Sequence, residues 1–143
     1  MSGKAATAWL DVSPHEAATT MSSVREVSSG LPLAVAERLS SAIAPGDAAF
    51  KYRFVPKPTY TRRKAKGPSA VLSGDESERV VRISRIWALA QAVWGAADPA
   101  RRFMLSPHML LDGQPPLDVA LSGELGGKLV EEILGRLAHG TAA

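Results

Sequence analysis

Apolar positions recur at helical spacing in several separate stretches of the chain. Ala17, Met21, Val24 and Val27 predict a helix over 14–28. Ser13-Pro14-His15-Glu16 opens it as a capping box with proline at the first helical position, and Ser28-Ser29-Gly30 stops it. Leu31-Pro32 starts a second helix. There Val35, Leu39 and Ile43 fall at i, i+4 and i+8, and Pro45-Gly46 ends the stripe. The longest stripe is Val80, Ile83, Ile86/Trp87, Ala90 and Val93. It predicts a helix over 74–94, opened by the capping box Ser73-Gly74-Asp75-Glu76 and closed by Gly95. In the last helix, capped by Ser122 and stopped by Gly140, Leu125, Leu129, Ile133 and Leu137 line one face. Lys128, Glu132 and Arg136 alternate in sign beside them.

Shorter elements fill the gaps. Lys51 to Val55 alternates like a strand, but no partner strand is visible and Phe50 and Phe54 sit four apart. The segment 47–55 is therefore read as helix. Pro58 to Lys66 forms another, broken by Gly67-Pro68-Ser69. Asp98-Pro99 caps a helix reaching Leu105, Ser106-Pro107 and Asp112-Gly113 are turns, and Pro115-Pro116 opens a helix to Leu121. The first dozen residues read as frayed, with Trp9 and Leu10 as a tether. The fold class is all-α. Lys64 to Ser73 is the one linker-like stretch, which suggests domains at 1–68 and 69–143.

Composition narrows the function classes. The 143 residues suit one domain or two small helical ones, and the 45% hydrophobic content is mostly Ala, Leu and Val. With no cysteine, disulfide frameworks and Cys-based zinc sites are excluded, and a reducing cytoplasm is compatible. The N-terminus is too short and polar for a signal peptide, and no apolar run approaches a membrane span. Charge is distributed unevenly. Between Ala48 and Gly74 lie Lys51, Arg53, Lys57, Arg62, Arg63, Lys64 and Lys66, with no acidic residue. Outside that island, the ten remaining Lys and Arg face fourteen acidic residues. A basic island in an otherwise acidic chain is an electrostatic footprint for a polyanion.

Candidate chemistry is sparse. His15, His108 and His139 have no ligand spacing, so no metal is expected. There is no P-loop and no GxGxxG, and no cofactor is implied. Gly123 and Gly126-Gly127 flank a helix start; close approach of another backbone explains them better than an anion site. Glu131-Glu132 reads as a solvated face, and Ser106 and Ser122 lack His or Asp at diagnostic spacing. The chain is not read as an enzyme, and Asp98 to Gly140 reads as a helical docking module. The basic helix is the best local motif. A helix-turn-helix reader needs a helix whose first turns face base edges while cations grip phosphates. Thr59, Tyr60 and Thr61 supply short polar and aromatic contacts, and Arg62 and Arg63 supply phosphate or guanine contacts. Lys57 and Lys64 complete the expected DNA-binding set. Arg79, Arg82 and Arg85, three apart on the flank of the long helix, are expected to extend the basic surface.

These residues carry a resemblance. The chain resembles the Xre/MbcA/ParS antitoxins of RES–Xre type II toxin–antitoxin pairs over Val24 to Gly140. The anchors are Gly30-Leu31-Pro32, Thr59-Tyr60-x-Arg62-Arg63, Leu72-Ser73-x-x-Glu76-Ser77-x-Arg79 and Arg82-x-x-Arg85. They continue with Ala100-Arg101-Arg102-Phe103, Leu111-x-Gly113-x-x-Pro116-Leu117 and Gly135-Arg136-Leu137-x-x-Gly140. No single anchor is specific; their order and spacing are. Two departures stand out. Phe103 occupies a core position where the family often has Trp, and Pro56 and Pro58 flank the reading helix.

The resemblance implies an Xre-like helix-turn-helix region followed by a small helical toxin-binding domain. It implies a homodimer that sequesters an NAD-consuming RES-domain toxin and represses its own operon by binding operator DNA. Any NAD chemistry would belong to the partner. Arg136, His139, Gly140 and Thr141 are the expected toxin contacts, while Gly113, Pro116 and Gly140 shape the fold. The rival readings are a stand-alone helix-turn-helix repressor without a toxin and an unrelated helical scaffold.

Overall fold

The computed structural model describes residues 20–140. The expected tether at Trp9 and Leu10, the capping box at Ser13 to Glu16, His15 and Thr141 lie outside the described residues. Those described are helical, with one isolated antiparallel bridge, Pro32 to Val71, and no strand. The chain divides into two compact units between Val81 and Arg82. That point lies inside a helix and beyond the proline–glycine punctuation at Gly67-Pro68.

The first unit opens with α1, Met21–Ser29, N-capped by Thr20, whose hydroxyl accepts from the Ser23 amide at 3.1 Å. None of its residues is buried. Gly30 ends it at φ +93°, and a Cβ there would lie 2.4 Å from the Leu72 carbonyl oxygen. Only glycine allows that backbone and that approach. The close approach lets Leu72 N donate to Leu31 O at 2.8 Å and Leu33 N to Ala70 O at 3.0 Å. The buried Ser77 hydroxyl accepts from Leu31 N at 2.9 Å.

Helix α2, Leu33–Ile43, buries Leu33, Val35, Ala36, Leu39, Ser40 and Ile43. The helix expected over 47–55 is a single 3-10 turn at Phe50–Arg53. Pro45 and Pro56 bracket it, and a residue preceding proline is pushed out of the α region. Phe50, Phe54 and Val55 are nonetheless buried, and the two phenyl rings meet edge-to-face at 6.0 Å. Helix α3, Lys57–Lys64, tolerates Pro58 in its first turn, where no intrahelical N–H bond is lost, and buries only Tyr60.

Helix α4, Gly74–Trp94, begins in the first unit and ends in the second. Its capping box is reciprocal. Glu76 N donates to Ser73 Oγ at 3.2 Å, and Ser73 N donates to a Glu76 carboxylate oxygen at 2.8 Å. Val80, Ile83, Ile86, Trp87 and Ala90 are buried along it, and Gly95 follows at φ +73°.

The second unit continues with α5, Ala97–Leu105. Its N-cap is Ala96, and Asp98 sits inside the first turn instead of capping it, accepting from Arg101 at 2.6 Å. A 3-10 turn, Met109–Leu111, leads into Asp112 and Gly113, both left-handed, and then into α6, Pro116–Leu121, and α7, Glu124–Ala138. Two expectations for α7 change. Gly123 is its N-cap, and the Ser122 hydroxyl instead donates back to Val119 O at 2.6 Å. The buried face is Gly127, Val130, Ile133 and Leu134, whereas Leu125 and Leu129 are exposed. The reason lies in Gly126 and Gly127. A Cβ at 126 would stand 2.0 Å from Val119 O, and one at 127 would stand 2.7 Å from Arg82 Cδ. The glycines let α7 rest directly on the end of α6 and on the Arg82 stem, and that contact sets which face turns inward.

Candidate nucleic-acid and partner-binding surfaces

The seven DNA-binding candidates divide into two groups on α3. Tyr60 is 7% exposed, and its hydroxyl donates to Glu37 at 2.5 Å. Burial, followed by the hydrogen bond and charge of Glu37, pushes the Tyr60 phenol far above its ordinary value. Lys64 donates to both Glu37 carboxylate oxygens, at 3.0 and 2.9 Å. Burial alone would raise the Glu37 carboxyl. The bonds from Tyr60 and Lys64, with the charges of Lys64 and Lys51, outweigh it and leave the group below its usual range. Arg63 is paired with Glu76, the residue that also closes the α4 capping box. Burial raises Glu76 too, and the Ser73 amide, Arg63 and the Ser73 hydroxyl together bring it below the carboxylate range. Tyr60, Arg63 and Lys64 thus fasten α3 to α2 and to the start of α4.

Lys57, Thr61 and Arg62 are exposed, and Thr59 is half-buried. At roughly 100° per residue, Thr61 and Arg62 occupy the side of α3 turned away from Tyr60 and Arg63, and Lys57 lies at its edge, about 60° from Tyr60. The outward set is therefore smaller than the basic helix suggested. A missed participant is Lys51. Its ammonium lies 5.0 Å from the Tyr60 ring centroid and 5.6 Å from that of Tyr52. Lys57 lies 5.7 Å from the Tyr52 centroid, and the two tyrosine rings meet edge-to-face at 5.6 Å. The interleaving of Lys51, Tyr52, Lys57 and Tyr60 was the available signal. Each such contact is worth about 0.5–1 kcal/mol at an exposed site, enough to bias where an ammonium points.

Arg79, Arg82 and Arg85 do not extend this surface. Arg79 donates to Phe54 O at 2.8 Å. Arg82 is 8% exposed and donates to Ala120 O at 2.9 Å and Leu121 O at 3.4 Å. It thereby satisfies carbonyls that the end of α6 leaves without helical partners. Arg85 holds Glu131 at 2.5 Å and Glu124 at 3.6 Å. All three are structural cations, consumed within their own unit.

Of the expected partner contacts, Arg136, His139 and Gly140 are exposed at the end of α7, with Gly140 at φ +73°. His108 instead accepts from Leu110 N at 3.2 Å and packs edge-to-face on Phe103 at 5.8 Å. Phe103 is half-buried, not in the core, with the Trp94 ring 6.2 Å away. Among the described residues no group of three or more His, Cys, Asp or Glu could hold a metal ion. No described helix is long and apolar enough to cross a membrane.

Comparison with known proteins fits this division. Residues 22–85 match the antitoxin Xre-like helix-turn-helix domain, and residues 89–140 match the antitoxin Xre/MbcA/ParS C-terminal toxin-binding domain. The chain belongs to the Xre/MbcA/ParS antitoxin family. The Antitoxin Xre of Pseudomonas putida (strain KT2440) is 38% identical over 69 residues, a match covering 48% of this chain and 43% of that relative. The matched part thus spans less than half of the relative's length. The helix-turn-helix match contains α2, the 3-10 turn at Phe50 and α3, so the outward set Lys57, Thr61 and Arg62 lies on the family's DNA-binding-type domain. The toxin-binding match contains α5 to α7, with Arg136, His139 and Gly140 at its end.

Proposed function

We propose that this chain is the antitoxin of a type II pair. It neutralises an NAD-consuming RES-domain toxin by docking on it and represses its own operon by binding operator DNA as a homodimer. The observation that carries this reading is the order of two domains on one chain, an Xre-like helix-turn-helix followed by a toxin-binding domain. The reading places the chain in the cytoplasm, where operon DNA and the NAD pool are found. It gives the chain no chemistry and no cofactor of its own.

Inhibition is by occlusion. On this reading Arg136, His139 and Gly140, exposed at the end of α7, contact the toxin near its pocket, and Thr141 follows them in sequence. Operator contact runs through α3, where Lys57, Thr61 and Arg62 face outward and Thr59 lies beside them, while Tyr60, Arg63 and Lys64 hold the helix at its angle. Phosphate contacts position such a helix and base-edge contacts specify its site.

Co-expression with the neighbouring reading frame, which this reading expects to encode a RES-domain toxin, tests the pairing. Growth is restored, and the two proteins co-purify. Deleting Ala138 to Ala143 weakens neutralisation more than folding. Full rescue by the folded truncation contradicts the occluding tail. The rival reading, a stand-alone repressor, gains support from the outward cations of α3 alone. It requires tight operator binding with no growth rescue.

A further inference from the structure

We propose that the toxin docks on the outward stripe of α7, formed by Leu125, Leu129, Glu132 and Arg136, with the two leucines supplying affinity and the tail beyond them supplying inhibition. The proposal rests on the toxin-neutralising reading above.

At roughly 100° per residue these four positions fall within an arc of about 60°, running about 16 Å along the helix. All four are exposed, Leu125 at 83% and Leu129 at 41%. The opposite side, Gly127, Val130, Ile133 and Leu134, is the buried one. A single exposed leucine needs no explanation. Two on successive turns form an apolar centre. Glu124 and Lys128 border it on one side, and Glu132 and Arg136 continue it, so charged groups edge an apolar centre as they do in protein interfaces.

The stripe is also held rigidly. Gly126 and Gly127 seat α7 against Val119 O and the Arg82 stem, and Arg85 ties Glu131 and Glu124 to α4. A surface already ordered before binding loses less entropy on docking. The occupant follows from where the stripe lies. It falls wholly within residues 89–140, which match a toxin-binding domain, and the same helix runs into His139 and Gly140. A partner seated on the leucines has the tail at its edge.

The test uses the full chain, with the purified RES-domain toxin that the proposed function pairs with it as the probe. Wild type, L125E/L129E and a chain lacking Ala138 to Ala143 are compared for Kd, inhibition of NAD consumption, self-association by sedimentation and thermal melting. L125E/L129E raises Kd by about 100-fold or more, as loss of two central interface residues does. It melts within a few degrees of wild type, because neither leucine is buried. The truncated chain keeps its Kd within about tenfold and loses inhibition. A double variant that binds within about threefold of wild type overturns the proposal. So does one that loses only self-association, since the stripe would then meet a second copy of this chain. A wild-type chain that fails to bind the probe removes the toxin reading and the stripe together. Wild-type binding with an equally tight double variant removes the stripe alone.

Discussion

The Tyr60 hydroxyl donates to Glu37 at 2.5 Å, and this bond makes an apparent base-reading residue into an anchor. It ties α3 to α2 from a side chain that is almost wholly buried. Tyr60→Phe leaves the ring in place, removes one donor and leaves Glu37 with Lys64. A hydrogen bond to a charged group contributes about 1.5–3 kcal/mol. With Lys64 still in place, a loss of about 1–2 kcal/mol is expected in urea unfolding. Operator affinity measured well below the unfolding midpoint should change less than threefold.

Arg62 and Arg63 are adjacent in sequence and are expected to behave differently. Arg62→Ala and Lys57→Ala should each weaken operator binding and lower the slope of log affinity against log salt by about one, the signature of a lost phosphate contact. Arg63→Ala should cost stability, because it removes the partner of a half-buried Glu76. Salt-dependent binding titrations and melting curves on the three variants separate the roles. Equal slopes for Arg62→Ala and wild type would show that α3 does not meet the DNA through this face.

Three glycines of α7 should respond to alanine with opposite signs. In a helix interior the exchange gains about 1 kcal/mol. Gly135 has nothing within 4 Å of its would-be Cβ, so Gly135→Ala should stabilise by about that amount. At Gly126 the new Cβ would meet the Val119 carbonyl at 2.0 Å, and backbone cannot swing aside. Overpacking of this kind costs about 1–3 kcal/mol or more and exceeds the helical gain. Gly127→Ala should fall between them, since its obstacle is the stem of a hydrogen-bonded arginine. Denaturant midpoints for the three variants give the order directly.

Glu37 and Glu76 both lie below the usual carboxylate range in the folded chain. A depressed carboxylate contributes stability that is present above its unfolded pKa, about 4.3, and is lost as pH falls through the lower folded value. Stability should therefore hold steady from neutral pH toward 5 and decline below about 4. Glu37→Gln and Glu76→Gln should each be less stable at pH 7 and show a shallower acid decline. Tyr60 is raised, so its contribution is present below about pH 10 and is lost only in stronger alkali.

The elements most legible in the sequence were those with local punctuation. Helix α4 runs over Gly74–Trp94 as its spacing predicts, because Ser73, Glu76 and Gly95 mark its ends chemically. The face of α7 was not legible. Leu125, Leu129, Ile133 and Leu137 make a regular stripe, but so do Gly127, Val130, Ile133 and Leu134. Only the contact of Gly126 and Gly127 with Val119 and Arg82 decides between them. The roles of the cations were hidden for a similar reason. Arg63 is met by a carboxylate from a distant segment, and Arg79 and Arg82 are each met by a carbonyl from one. Charge is written in the sequence, whereas the partner that neutralises it is set by the fold.

The most direct measurement of the central claim is NAD consumption by the purified RES-domain protein as this chain is titrated into it. Consumption should fall in proportion to added chain and stop at a fixed stoichiometric ratio, with no NAD turnover by the chain alone. Undiminished consumption in the presence of excess folded chain would contradict the account.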